Sequence, residues 1–174
     1  MKKSRLFWVL TLVITMGLLA VAGCSSSEKA TTSAPETAQS EGPAGPITIV
    51  DQSGRTVELP QAAERVIGTH NPSMNLLISV DGNGKRIVGF GNKDMAYGLY
   101  DQVAPEVNQA TSIGKGKNVN METVASLKPD LALLPLRFQS QVEQLANLGV
   151  PAIVLDVEKY DSIKDALTMI GKAV

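Results

Sequence analysis

From residue 65 onward, short apolar segments alternate with segments of helical pattern, and this alternation constrains the fold more than any other feature of the sequence. The apolar segments lie at 65–68, 86–90, 131–134 and 152–155. The helical segments lie at 72–80, 95–102, 121–127 and 139–148, and a last helix opens at Asp161 or Ser162. Because apolar strands separated by helices pair in parallel, the sequence predicts a central parallel sheet with helices on both faces.

Two β-branched runs, 47–50 and 56–59, precede these segments and flank the turn Asp51-Gln52-Ser53-Gly54. This pattern predicts an N-terminal β-hairpin, so the expected fold is an α/β, Rossmann-like lobe. The ligand crevice of such a sheet lies beyond the carboxyl ends of its strands. We therefore expect functional side chains in the loops after Gly68, Phe90, Gly114 and Leu134.

The N-terminus has the layout of a secretory signal. Three basic residues stand within the first five positions, and residues 6–22 are apolar apart from two threonines and one glycine. Small residues precede Cys24, the single cysteine, and this arrangement resembles the lipobox of bacterial lipoproteins. The resemblance implies a signal peptide at 1–23 and lipidation of Cys24. A plain signal peptide is an alternative, as is an uncleaved anchor, since about 20 apolar residues span a bilayer.

Composition narrows the classes of function. Residues 24–45 lack large apolar side chains and predict a disordered tether that spans on the order of 25 Å. Without residues 1–23, the chain holds 13 basic and 17 acidic residues, a formal charge of −4, so no nucleic-acid partner is expected. Asn118 follows the Gly-Lys pair at 116–117 where a P-loop needs Ser or Thr. One histidine cannot form a metal site alone, and the sequence shows neither a Gly-x-Ser-x-Gly elbow nor a nucleophile–base pair, so we expect neither an enzyme nor a bound cofactor.

Five motifs follow one another within residues 46–174. They are Asp-x-x-Gly-Arg-x-Val from Asp51, Glu64-Arg65-Val66-Ile67, Arg86-Ile87-Val88-Gly89, the signature Ile113-Gly114 with Asn120-Met121-Glu122 and Leu127-Lys128-Pro129-Asp130-Leu131, and Leu145 to Pro151. In this order they resemble the N-terminal lobe of the substrate-binding lipoproteins of ABC importers for iron–siderophore complexes, haem and corrinoids. The resemblance implies a ligand-binding lobe at 46–160 and the start of a long interlobe helix at 161–174. The chain ends within that helix, so the sequence resembles half of a binding protein.

The crevice loops carry the candidate ligand-binding residues. They are His70, Asn71, Asn92, Lys93, Lys115, Arg137 and Phe138. Arginine suits bidentate capture of oxygen ligands, and the cations together would form a positive mouth for an anionic metal chelate. Ordinary surface charges are the alternative. Tyr97 and Tyr100 could stack on a ligand or cover their own helix.

Glu122 has a separate predicted role. In the resembled family the glutamate of this motif docks on the membrane permease, whereas a simpler interpretation is an acid that stabilises the helix dipole. The expected function is the substrate-binding component of an ABC importer, lipid-anchored outside the cytoplasm and working with a permease and its ATPase. The expected ligand is a ferric siderophore, with corrinoid, haem or oxyanion as alternatives. A truncated lobe with little affinity and an extracytoplasmic enzyme are the other hypotheses.

Overall fold

A computed structural model describes residues 45–96 and 98–174. The described chain begins with an antiparallel hairpin of β1 (Ile47–Val50) and β2 (Thr56–Leu59). Side chains alternate between buried and exposed along both strands, so one face of the hairpin packs on the core and the other meets solvent. The predicted hairpin is confirmed.

The remaining strands are β3 (Val66–Gly68), β4 (Ile87–Phe90), β5 (Thr111–Ser112), β6 (Gly114–Lys115), β7 (Asn118–Val119), β8 (Leu131–Pro135) and β9 (Ala152–Leu155). β6 and β7 form a small antiparallel ribbon. The other five form a parallel sheet in the order β5-β4-β3-β8-β9, as the alternating pattern predicted. The chain first builds outward from β3 on one side and then continues with β8 on the other side.

The helices cover both faces of this sheet. They are α1 (Asn71–Asp81), α2 (Leu99–Val103), α3 (Met121–Leu127), α4 (Val142–Ala146) and α5 (Tyr160–Ala173), with 3₁₀ turns at Lys93–Ala96, Pro105–Gln109 and Leu136–Gln141. Alternate residues of β8 enter two hydrophobic clusters. Leu131 and Leu133 pack with α1, α5 and the hairpin, whereas Ala132 and Leu134 pack with α3 and α4. The fold class predicted from the sequence is confirmed.

The first residues of two helices can be compared with those predicted from the sequence. Asn120 caps α3 as predicted, because its Oδ1 accepts the N–H of Thr123 at 3.0 Å. α5 begins at Tyr160 rather than at Asp161 or Ser162. Lys159 is the N-cap in an extended conformation, and its carbonyl accepts the N–H of Ser162 at 3.2 Å without any side-chain cap.

Other elements differ from the prediction. The expected helix 139–148 is replaced by the end of the 3₁₀ turn Leu136–Gln141, which has non-helical dihedrals at Phe138, and by the short helix α4. β5 and the ribbon were not predicted, because two-residue strands carry no periodicity. Gly114 opens the ribbon instead of ending a sheet strand. Its φ is +106°, and a Cβ would lie 2.2 Å from the Asn118 carbonyl oxygen, so this position requires glycine. No helix within the described ranges is long and apolar enough to cross a membrane.

Candidate ligand-binding site

The candidate site lies where the strand order of the sheet reverses. The loop after β3 leads into α1, and the loop after the neighbouring β8 becomes the 3₁₀ turn Leu136–Gln141. Connections that leave two adjacent parallel strands in opposite directions open a crevice between them. His70 lies in the first loop and Arg137 in the second. They are close enough for the guanidinium to lower the pKa of the imidazole.

His70 is buried, with 8% of its surface exposed, and it is the N-cap residue of α1. Its side chain makes no capping hydrogen bond, and its Nδ1 is buried without a partner among the residues that the structure describes. Burial, and then the positive charge of Arg137, lower its pKa from 6.5 to about 4, while Glu158 acts in the opposite direction. The imidazole is therefore neutral at neutral pH.

Arg137 is held from two sides. Its guanidinium pairs with the carboxylate of Glu158 and lies 5.0 Å from the ring centroid of the buried Phe138. Glu158 follows β9, whose loop opens at the same edge of the sheet. Glu158 was not among the predicted site residues, although it follows a predicted strand whose carboxyl end lies at this edge of the sheet.

The candidate residues after β4 hold crevice loops together. Asn92, at φ +61°, donates its side-chain N–H to the Thr69 carbonyl at 3.1 Å and its backbone N–H to the Gly114 carbonyl at 3.1 Å. The ammonium of Lys93 donates to the carbonyls of Asn108 at 2.8 Å and Ala110 at 2.9 Å. The described contacts of Asn92 and Lys93 are thus with backbone groups.

Lys115 and Asn71 complete the described candidates. Lys115 lies in the ribbon, where its Nζ is 3.2 Å from the Asp94 carboxylate, and both side chains are largely exposed. Asn71 is the half-buried first residue of α1. Lys115 and Arg137 are therefore each paired with a carboxylate, so the crevice is less positive than the sequence pattern indicated.

Tyr100 belongs to the core, where it contacts β4 and α1 instead of covering its own helix. It is 3% exposed, its hydroxyl donates to Asn75 Oδ1 at 2.8 Å, and its ring centroid lies 5.5 Å from that of Phe90. Burial raises its pKa to about 12. Tyr97 and Cys24, with the predicted signal peptide and tether up to residue 44, lie outside the described residues.

Glu122 is exposed in the first turn of α3. The preceding Asn120 donates its N–H to the carbonyl of Ile113 at 2.9 Å, directly after the end of β5. The first turn of α3 therefore lies at the edge of the sheet where the crevice opens. A side chain there is accessible to a partner that approaches this edge.

Gln141 is a site residue that carried no signal in the sequence. It is buried, and its side-chain N–H groups donate to the carbonyls of Gly116 at 3.3 Å and Lys117 at 3.2 Å. It thereby ties the turn of the ribbon to the 3₁₀ turn that carries Arg137. Within residues 45–96 and 98–174 no group of three His, Cys, Asp or Glu side chains is placed to hold a metal ion.

Comparison with known proteins identifies the family. The family described as "Periplasmic binding protein" matches residues 66–174, so the chain belongs to this family. The vitamin B12-binding protein of Pectobacterium carotovorum is 30% identical over 85 residues, which cover 48% of this chain and 31% of that protein. YvrC of Bacillus subtilis, an uncharacterized ABC transporter substrate-binding lipoprotein, is 29% identical over 133 residues, or 74% of this chain and 40% of that protein.

A solved structure shows the same fold. The periplasmic solute binding protein of Veillonella parvula superimposes with a TM-score of 0.66 at 26% identity, over 74% of this chain and 40% of that one. The chain thus spans about a third of the length of the vitamin B12-binding relative and two fifths of YvrC. The resemblance to substrate-binding proteins of ABC importers, stated from the motifs, is confirmed at the level of the family.

Proposed function

We propose that this chain provides a ligand-binding lobe of an ABC-importer substrate-binding protein and that its crevice takes a metal chelate. One observation carries the proposal: in a chain of this family, the reversal between β3 and β8 brings together a buried neutral imidazole, an arginine and an aromatic ring. Such a crevice offers hydrogen bonds and apolar contact and needs no catalytic group. Capture and release of a small molecule is therefore the function that it supports best.

The ligand that we propose first is a ferric siderophore. Arg137 is about half exposed and rests on Phe138, so it can turn from Glu158 toward the oxygen atoms of a chelate while keeping its aromatic contact. We propose that the other candidates, Asn71, Asn92, Lys93 and Lys115, line the ligand's periphery, because they follow β3, β4 and β5 along the chain.

A corrinoid is the second candidate. It is favoured by the named ligand of the Pectobacterium relative and by the carboxylate partners of Arg137 and Lys115. Paired charges attract a trianionic chelate less strongly than free ones, because the field of each cation is largely cancelled nearby. A ligand of low net charge loses little by this pairing.

We further propose the lipoprotein arrangement predicted from the sequence. Cys24 would carry the lipid, and residues 25–45 would tether the lobe outside the cytoplasm at the membrane. Glu122 would contact the permease that works with the ATPase, and its exposure at the crevice edge is consistent with that role. Replacing Glu122 with Gln should then impair uptake by cells while leaving ligand binding unchanged.

Calorimetric titration of the chain with ferric enterobactin and with cyanocobalamin tests the proposal. We expect binding of one of them, and we expect Arg137→Ala to weaken binding of the ferric chelate by about tenfold or more, because one charge-assisted contact is lost. Lys85→Ala removes a positive charge before β4, at the opposite end of the sheet, and should change nothing. A folded chain that binds neither probe up to millimolar concentration would contradict the proposal.

A further inference from the structure

Three polar atoms that find no hydrogen-bond partner within residues 45–96 and 98–174 are buried at the head of α1. They are Thr69 Oγ1, His70 Nδ1 and Ser73 Oγ. The three residues are 2%, 8% and 0% exposed, respectively. Buried polar atoms are nearly always hydrogen-bonded, since an unsatisfied one costs about 1–3 kcal/mol. Three of them within five residues indicate a shared partner that these side chains are arranged to meet.

The backbone at the same place also has free donors. The first intrahelical bond of α1 runs from the Met74 N–H to the His70 carbonyl, so the N–H groups of Asn71 and Ser73 have no acceptor within the helix. The side chain of His70 does not cap them. His70 is the N-cap and Ser73 is the third helical residue, so both lie in the first turn of α1, and Thr69 directly precedes them.

The charge at this point is positive. The helix dipole places partial positive charge at the N-terminus of α1, an 11-residue helix. The nearby Arg137 adds to the potential felt by the imidazole, and Glu158 offsets part of it. Hydroxyl and N–H donors at a positive helix end match a group that only accepts hydrogen bonds. A water molecule would use two of its four hydrogen-bonding positions as a donor and suits this set less well.

We propose that Thr69, His70 and Ser73 form an oxyanion subsite at the head of α1. The subsite takes either one carboxylate group of a bound chelate or a free tetrahedral oxyanion. The two hydroxyls and the first-turn N–H groups donate to the oxygens, and His70 donates from Nδ1 when its proton is on that nitrogen. His70 is the most exposed of the three, so the anionic group enters past the imidazole from the crevice. The inference rests on the proposed function, because it names the chemistry of one part of the same crevice.

The single histidine of the chain gives a direct readout. Its imidazole C–H signals in a proton NMR spectrum need no assignment, so the chain can be titrated with sodium molybdate in one arm and gallium(III) citrate in the other. Gallium replaces ferric iron here to avoid paramagnetic broadening. We expect saturable shifts of the His70 signals, in the molybdate arm for a free oxyanion and in the citrate arm for a carboxylate of a chelate. An anion beside the imidazole should also raise the pH at which His70 titrates.

Two serine variants on the same helix give the matched comparison. Ser73→Ala removes a buried hydroxyl that has no partner, whereas Ser79→Ala removes an exposed hydroxyl that donates to the Asn75 carbonyl at 2.8 Å. We expect Ser73→Ala to weaken anion binding about tenfold without lowering thermal stability. Ser79→Ala should leave binding unchanged. Lost binding without lost stability is a result that a purely structural serine would not produce.

The possible outcomes separate this inference from the proposed function. If the chain binds ferric enterobactin or cyanocobalamin but His70 responds to neither anion, the subsite is wrong and the binding function stands. If molybdate shifts His70 and neither metal chelate binds, the subsite stands and the choice of a chelate is wrong. An unchanged affinity in Ser73→Ala would show that a water molecule satisfies this cluster, and it would overturn the inference.

Discussion

Two regions near the carboxyl end of the sheet bury polar side chains, and they differ in whether these side chains are hydrogen-bonded within the protein. In the hairpin turn, the Asp51 carboxylate accepts hydrogen bonds from the backbone N–H and hydroxyl of Ser53, from the N–H and guanidinium of Arg55, and from the N–H of Val154. At the head of α1, Thr69, His70 and Ser73 each bury a polar atom that has no partner in the described part of the chain. The polar groups of the hairpin turn are hydrogen-bonded within the fold, whereas those at the head of α1 remain available to a ligand.

The satisfied region protects the edge of the sheet. β9 is the last strand, and the hairpin turn pairs with its outer edge through Gln52 N–H to the Val154 carbonyl at 3.1 Å and Arg55 to the Ala152 carbonyl at 2.8 Å. An unprotected edge strand is a site of aggregation, so covering it stabilises the monomer. The polar side chains of the hairpin turn thus maintain the fold, whereas those at the head of α1 can contact a ligand.

The largest expected effect comes from removing the buried carboxylate of the hairpin turn. Asp51→Ala removes an acceptor whose side chain is fully buried and leaves the Val154 N–H and the Arg55 guanidinium without it. We expect a loss of about 3–5 kcal/mol in the free energy of unfolding, measured by urea denaturation. Asp94→Ala is the matched control, because its exposed carboxylate also pairs with a cation, and it should cost at most about 1 kcal/mol. Equal effects of the two variants would remove the distinction.

Most of the fold was predictable because its helices and strands follow from local patterns in the sequence. Short apolar runs such as 131–134 and 152–155 are typical of buried strands, and Asn120 precedes a helix with the side chain that caps it. What local patterns miss is long-range pairing. The motif that begins at Asp51 predicted a turn, but its bond to Val154 joins residues 103 positions apart.

The candidate site was predictable in position but not in detail. The carboxyl ends of the strands placed His70 and Arg137 at the crevice, because that rule depends on topology alone. The partners of the cations depend on side-chain packing between distant segments. Lys93 therefore looked like a free cation, although its ammonium bonds to the carbonyl of Asn108. Neither Gln141 nor Ser73 has a chemistry that would single it out in a sequence.

The two regions should respond to acid in different pH ranges. His70 keeps a folded pKa of about 4, whereas the unfolded imidazole takes up a proton near pH 6.5, so the unfolded state binds more protons between these values. Stability should fall by on the order of 3 kcal/mol as the pH drops from 6.5 to 4. Urea denaturation across this range tests the slope, and His70→Gln should flatten it. An unchanged slope in that variant would show that His70 is not the group responsible.

Asp51 contributes below that range. Burial alone would raise its pKa, but hydrogen bonds from Arg55, Ser53 and Val154 lower it below the ordinary value of 3.8. Its contribution is complete above that value and is lost as the pH falls through the lowered folded pKa. In urea denaturation at a series of pH values, Asp51→Asn should therefore remove a loss of stability that begins below about pH 4. The slope that His70 causes should stay in place.

The smallest expected effects are changes in the free energy of unfolding when two hydroxyl groups are deleted, and these two changes should be opposite in sign. Ser53 donates its hydroxyl to Asp51 at 2.7 Å, so Ser53→Ala should destabilise the chain by about 1 kcal/mol. Thr69 has nearly the same shape as valine, and its buried Oγ1 has no partner, so Thr69→Val should stabilise the chain by a similar amount. Paired urea denaturation curves measure both changes. If Thr69→Val also destabilises, its hydroxyl is already satisfied in the folded chain, and the contrast between the two regions fails at that residue.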